Sequence, residues 1–233
     1  MEALLAVASP EPPPIADVLA DLRTLIDVPA DLPDLLTLAT EADLYLQDEI
    51  TVALHPTLTR LWSPTGRRRQ RLIEAPGANA RIVGFGAVDW REGTFLGLGA
   101  RGREAFPFAV HLHRLAERSR ARGRRAIVLL DNLRIHTPAG SRLTRYVLTE
   151  QHADILTLVY TPAYDPDANR IEWLWRPTRR AVTHAHDRTH IDELTVDLAE
   201  HFLALATDPA TVLRHIGSPH APLDPSEEAT DAA

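Results

Sequence analysis

Residues 44–54 alternate with period two, placing Leu44, Leu46, Asp48, Ile50, Val52 and Leu54 on one side and Tyr45, Gln47, Glu49, Thr51 and Ala53 on the other. That period predicts a β-strand. Two further strands, at 82–90 and 94–98, flank Arg91-Glu92-Gly93 and predict a hairpin. Gly84 and Gly86 relieve crowding inside the first of them. Residues 104–122 carry a helical pattern, and 126–130 is an unbroken apolar run of the kind found in a strand buried on both faces. A helix over 138–151, a strand at 155–160, a helix from Arg170 and a last helix over 191–206 complete the order. Three strands, then helix, strand, helix, strand and helices describe an α/β fold: a mixed five-stranded sheet flanked by helices.

The flanks read differently. Residues 1–40 contain PEPPP and two acidic, Leu-rich stretches, which predict a partly helical acidic extension ahead of a main domain at 41–207. The segment 208–233 ends Pro-rich and acidic and reads as a disordered tail. At 233 residues the chain can bury one substantial core. No stretch approaches the roughly 20 apolar residues of a membrane span, and an N-terminus without early positive charge is no signal peptide. A cytoplasmic location with no membrane partner is expected. There is no cysteine, so any metal must be held by oxygen or histidine, which favours hard cations.

The net charge of −7 speaks against nucleic acid only as a single number. Residues 1–59 hold one Arg against eleven acids, and 189–233 hold one Arg against nine. Between them, residues 60–125 hold fifteen Arg against five acids, with RRRQR at 67–71 and RARGRR at 120–125. A local charge of this sign and density is the footprint of a phosphate partner or, more ordinarily, a solvated face.

Three acids stand out by position. Asp48 interrupts an apolar row, so it requires a metal, an arginine or backbone donors as partner, and alternation selects it over Glu49 on the more polar face. Asp131 follows the buried run directly, at the carboxyl end of a strand where open α/β sheets keep their ligand sites, although Asp there is also a common turn former. Glu172 follows the turn-rich loop YTPAYDPDANR. Asn169 offers a cap oxygen three residues before it, and Arg176 is an i,i+4 ion-pair partner, so a purely structural Glu172 is equally compatible with the residues. Three acids on three elements meet the needs of a two-metal phosphoryl-transfer site. Arg176, Arg179 and Arg180 share the helix side of Glu172.

Three blocks carry a family resemblance: QDEITVALHPTLTRLWSPTGRRRQ (47–70), IVLLDNLRIHTP (127–138) and YTPAYDPDANRIEWLWRPTRRAVTH (160–184). Together they resemble the mariner-type insertion-sequence transposases of the DDE endonuclease superfamily, over about residues 40–205. The resemblance implies an RNase H-like fold, with Asp48, Asp131 and Glu172 as the catalytic and metal-binding triad for two Mg²⁺ or Mn²⁺ ions. It also implies metal-dependent DNA strand cleavage and strand transfer at transposon ends. DNA, as transposon ends and target, is then the partner of a homodimer in a bacterial, nucleoid-associated setting. Arg67, Arg68, Arg69, Arg71, Arg176, Arg179 and Arg180 are the implied DNA-binding residues, and Asn132, His136 and Asn169 would support the triad. Trp62 and Gly66 match the family's turn after the first strand.

The chain departs from the pattern at Asp165, where serine is usual, at Arg170, where proline is usual, and at Pro177. A proline inside a helix costs roughly 3 kcal/mol or kinks it. Members normally carry helix-turn-helix domains ahead of the catalytic domain, whereas this chain opens on its acidic segment. That contrast admits a separately encoded helix-turn-helix partner, or a truncated remnant acting only as a DNA-binding or structural module. His184, His186 and His190 read as a solvated helix end, with Thr189 and Asp192 or Glu193 as the cap of the last helix. Trp173 and Trp175 read as packing residues.

Overall fold

The computed structural model describes residues 42–59, 79–161 and 169–222. Five strands form one sheet: β1 (Ala42–Ala53), β2 (Arg81–Asp89), β3 (Phe95–Ala100), β4 (Arg125–Leu130) and β5 (Leu156–Tyr160), in the order β3-β2-β1-β4-β5. β1, β2 and β3 pair antiparallel, whereas β4 joins β1, and β5 joins β4, in parallel. The sheet is therefore mixed, as the order of elements predicts. The Asp89 N–H donating to the Thr94 carbonyl, the Gly93 N–H donating to the Asp89 carbonyl and the left-handed Gly93 (φ 69) close the β2–β3 turn. A Cβ at Gly93 would meet the Pro209 carbonyl oxygen at 2.3 Å, so no other residue fits there.

Each face of the sheet is covered. Helix α1 (Ala105–Ala121), together with the short α2 (Arg142–Tyr146) and the π turn Val147–Gln151 that continues it, packs over Tyr45, Phe85, Ala87, Val128 and Leu130. Helices α3 (Ile171–Val182), α4 (Ile191–Thr207) and α5 (Pro209–Ile216) cover the other face, where Leu44, Leu46, Ile50, Val52, Ile127 and Leu129 point. The β1 alternation thus sorts residues between two cores rather than between core and water. Gly84 and Gly86 lie where added Cβ atoms would come within 2.7 Å of Phe202 and 2.4 Å of Trp175, which bears out the crowding expected at those positions.

Two expectations need correction. The helix expected over 138–151 starts at Arg142, because Ser141 caps it by accepting from the Thr144 N–H and the preceding Arg134–His136 turn occupies the chain before it. The tail expected from residue 208 instead begins with α5. Asp208 accepts from the Thr211 N–H, Pro209 fits the first turn, and Val212, Leu213 and Ile216 are buried. Residues 1–41 and the tail beyond 222 lie outside the described residues.

The arginines of 118–125 are largely structural. At the end of the sheet where β1 begins, buried Asp43 accepts from Arg124 at 3.0 Å and from Ser119 at 2.8 Å, with Arg122 at 3.6 Å. Glu92 of the hairpin turn pairs with Arg118, Arg122 and Arg124. This half of the basic segment is neutralised inside the protein, so it is not a phosphate footprint.

Asp43→Asn takes from the Arg124 guanidinium, 3% exposed, the buried one of its two carboxylate partners, and removing one partner of a buried pair costs about 3–5 kcal/mol. Urea denaturation should show that loss, and a much smaller one for Asp197→Asn in the exposed Arg188–Asp197 pair.

Two buried groups set opposing pH responses. Burial pushes His111 down to about 4, so the unfolded chain takes up its proton first and stability falls as pH drops from 6.5 towards 4. Burial pushes Asp89 up to about 6, so the folded chain takes up its proton first and stability rises as pH drops from 6 towards 3.8. His111→Leu should therefore gain about 3 kcal/mol on the parent between pH 6.5 and 4, read from denaturation midpoints across that range.

Candidate active site

β1 is the central strand, and its pairings align the acids. Leu44 pairs with Ile127 and Leu46 with Leu129 in the parallel β1–β4 register. Continuing that register by two residues sets Asp48 level with Asp131, on the face covered by α3. Glu172 lies in the first turn of α3. Its negative charge acts on Asp48, as does that of Glu49.

Asp48 has the partner its position demanded. Trp175 Nε1 donates to Asp48 Oδ2 at 2.8 Å, one turn beyond Glu172 on α3. The indole is fully buried against Phe95 and Phe202, and Gly86, paired with Asp48 across β1–β2, leaves room for its ring. Trp175 is thus a packing residue, as expected, with one polar task. Burial, then the Glu172 and Glu49 charges, raise the Asp48 carboxyl well above the usual range, and the Trp175 and Glu49 hydrogen bonds do not offset them.

Asp131 is the open member, with a side chain 51% exposed. Its Oδ1 accepts from the Leu133 N–H at 3.0 Å and from His136 Nδ1 at 2.5 Å. Desolvation works upward on Asp131, but the His136 and Leu133 bonds and the His136 and Arg103 charges hold it below its ordinary value. The buried His136 ring spans on to Glu49, whose Oε1 lies 2.9 Å from Nε2. Burial lowers the imidazole, yet the two carboxylates raise it to about 9, so it is a cation at neutral pH. Phe108 closes over it at 4.3 Å between ring centroids.

Glu49 was passed over by reasoning from alternation, which assigned it to a polar face. It is 5% exposed, beneath α1, and holds Gln47 Nε2 at 2.9 Å and Arg103 at 3.6 Å as well as His136. The available signal was the helix over 104–122, which has to cover that face of β1.

Asn169 supports the site differently from the capping role expected. Its side-chain amide donates to the Gln47 carbonyl at 2.7 Å, next to Asp48, and the helix cap is Arg170, without a side-chain cap bond. Among the described residues no ion pair joins Glu172 to Arg176. Arg176, Arg179 and Arg180 are exposed. Asn132 is also exposed, beside Asp131. Arg67, Arg68, Arg69 and Arg71, with Trp62, Gly66 and Asp165, lie outside the described residues. Helix α4 is capped at His190 and not at Thr189 as expected, while Glu193 plays the expected acidic part by accepting from the Thr189 and His190 N–H groups.

The site is oxygen-rich and free of thiols. Among the described residues, the group whose ligand atoms all fall within 4.8 Å is His113, Glu117 and His152, not this triad. The carboxylates therefore stand wider than a single-ion cage, yet close enough for Glu172 to raise Asp48. Mutual repulsion of this kind is relieved by a divalent cation, and all-oxygen donors suit Mg²⁺ or Mn²⁺.

The model of the DDE superfamily endonuclease family matches residues 43–195, which include all three acids. The chain belongs to that superfamily. It is 26% identical over 165 residues to an insertion element IS630 uncharacterized 39 kDa protein of Shigella sonnei, covering 71% of this chain and 46% of that protein. The chain thus spans about half the length of the curated relative it matches. Its fold is similar to the Mos1 strand transfer complex (TM-score 0.53, 18% identity, covering 75% of this chain and 50% of that one). It is equally similar to the Mos1 mariner paired end complex with Mn (TM-score 0.53, 16% identity, covering 75% and 52%). The RNase H-like fold and the insertion-element transposase resemblance read from the three blocks both stand. No helix among the described residues is long and apolar enough to cross a membrane.

The Gly86 and Trp175 contact makes a specific demand on this superfamily member. Gly86→Ala drives a Cβ into the indole and should cost about 1–3 kcal/mol. Trp175→Phe removes the N–H donor together with one of the two indole rings and should raise the Asp48 pKa further. The carboxyl stretching band of Asp48, isolated by difference from Asp48→Asn, reads that shift.

Proposed function

We propose that this chain is the catalytic part of an insertion-sequence transposase, cutting and transferring DNA strands at transposon ends with Asp48, Asp131 and Glu172 as the metal-binding triad. The observation that supports the reading is the β1–β4 register, whose last pair, Leu46 with Leu129, lies two residues before Asp48 and Asp131, on the face covered by the helix that carries Glu172. Two Mg²⁺ or Mn²⁺ ions at such a triad supply a more acidic attacking hydroxyl and neutralise charge gathering on the scissile phosphate.

The protein's own part is positioning. Trp175 and the β1 backbone fix Asp48. His136 and the Leu133 N–H hold Oδ1 of Asp131, leaving Oδ2 without a hydrogen bond among the described residues. The His136 ring, pinned by Glu49, helps hold the Asp131 carboxyl below its ordinary value. Arg176, Arg179 and Arg180 lie exposed on the helix of Glu172 and offer phosphate contacts that set the strand's register without reading its bases.

Transposon ends and target DNA are then the partners of a homodimer, with end recognition supplied by helix-turn-helix domains. A DNA substrate places the protein at the bacterial nucleoid.

Asp48→Asn, Asp131→Asn and Glu172→Gln should each lower Mg²⁺-dependent nicking of duplexes carrying the element's inverted repeats by at least about 100-fold with circular dichroism unchanged. Nicking by all three variants at the parental rate, or by the parent in excess chelator, overturns the assignment.

A further inference from the structure

A second cluster of ligand side chains lies at the opposite end of the sheet. β4 begins at Arg125 and ends at Leu130 beside Asp131, whereas His152 precedes β5, whose first residue pairs with Ala126. Five residues of strand, roughly 16 Å, separate the two ends.

His113 and Glu117 are four residues apart on α1 and share one face of it. His152 reaches them from the end of the π turn Val147–Gln151. Their ligand atoms all lie within 4.8 Å of one another. His113 Nδ1 is 2.8 Å from His152 Nε2, and His152 Nδ1 is 3.7 Å from Glu117 Oε1. His152 is 1% exposed, and His113 is half-buried.

We infer that His113, Glu117 and His152 form a binding site for a borderline divalent transition-metal ion, with Zn²⁺ as its type, separate from the carboxylate triad. Two imidazoles and one carboxylate match the donor set of zinc sites that keep an open position, and they are poor ligands for Mg²⁺. Burial, then the Arg120 and His113 charges, lower the His152 imidazole from its ordinary value, and a neutral imidazole is the form that ligates a metal. Two nitrogens bound tetrahedrally at about 2.0–2.1 Å stand roughly 3.3–3.4 Å apart. The present 2.8 Å contact has to open by about half an ångström, which a small rotation of the exposed side of the pair provides.

Arg120 is the competitor. It pairs with Glu117, approaches His152 Nδ1 at 3.2 Å and holds Asp154 at 3.0 Å. Without metal, its guanidinium supplies the positive charge of the cluster. On metal binding it can retain Asp154 while releasing Glu117 and His152, whose remaining ring proton then sits on Nδ1. Gln151, whose amide is 3.2 Å from His113 Nδ1, gives way at the same step. The ion would clip α1 to the corner that leads into β5.

The test is calorimetric titration of the full chain with Zn²⁺ in the presence of excess Mg²⁺, with Co²⁺ as an optical probe. The expected result is one tight Zn²⁺ per chain in the parent and in Asp131→Asn, weakened at least about tenfold in His113→Ala and in Glu117→Gln. These two substitutions lie on the accessible side of α1, and circular dichroism checks that they leave the fold intact. Arg120→Gln should tighten binding, a change that a hydrogen-bond network without metal would not produce. Saturating Zn²⁺ should also raise Tm by about 5 °C in the parent and in Asp131→Asn but not in His113→Ala. The site is overturned if the parent binds no Zn²⁺ under these conditions. It is equally overturned if the bound ion is lost in Asp131→Asn and kept in His113→Ala, which would place it at the triad.

Discussion

A carboxylate in the middle of the central strand constrains the rest of this structure. Asp48 stands in a row of Leu44, Leu46, Ile50 and Val52 that is otherwise fully buried. An uncompensated charge there is costly, so the surroundings have to supply donors, a cation or a proton. The fold supplies one donor by laying Trp175 across β1, and it can do so only because Gly86 on the neighbouring strand leaves the space. It then sets Glu172 on the same helix one turn away, which makes the shortage worse. One helix thus supplies a donor to Asp48 and a negative charge beside it, a repulsion that a cation between the two carboxylates would relieve.

The second acid is managed by the opposite means. Asp131 is half exposed and keeps its charge through His136, which is itself charged because Glu49 stands behind it. The relay Asp131–His136–Glu49 runs past the carboxyl end of β4 to the face under α1, so the site draws on both cores. Its first residue is open to solvent, and its last, in contact with Gln47 and Arg103, anchors the imidazole. Asp48 and Glu49, adjacent in sequence and opposite in direction, thus serve one site from two sides of one strand.

The sequence made the strands, the mixed sheet and the elements that carry the three acids legible because each depends on local pattern: period two at β1, an apolar run at β4, a loop followed by a helix at α3. It hid what depends on pairing across the sheet. Glu49 looked polar because a helix 55 residues further on covers it, and Arg118, Arg122 and Arg124 looked like a phosphate footprint because their counter-charges sit at Asp43 and Glu92. Charge counted along a chain cannot distinguish a surface stripe from a buried network. Helix α5 was missed for a related reason, since eight residues with Pro at the start carry too little periodicity to stand out beside an acidic tail.

That helix resolves the two departures in the loop and helix around Glu172. Arg170 replaces a proline at the start of α3, and its guanidinium lies over Trp90 and Trp173, 5.6 and 5.2 Å from their ring centroids, while donating to the Gly217 carbonyl at 2.9 Å. Gly217 ends α5, and Ser218 beyond it donates to the Trp90 carbonyl at 2.7 Å. The start of α3 is therefore held by α5 and by the strand end at Trp90, where a proline would have fixed only one dihedral angle. Pro177 lies downstream of this anchor. The first turn of α3, set by Glu172 N–H to Asn169 and Trp173 N–H to Arg170, is complete before the proline removes a donor, and Trp175 is pinned to Asp48 ahead of it. Any bend at Pro177 redirects Arg179 and Arg180, which face solvent, and leaves the direction of Glu172 to the anchored first turn.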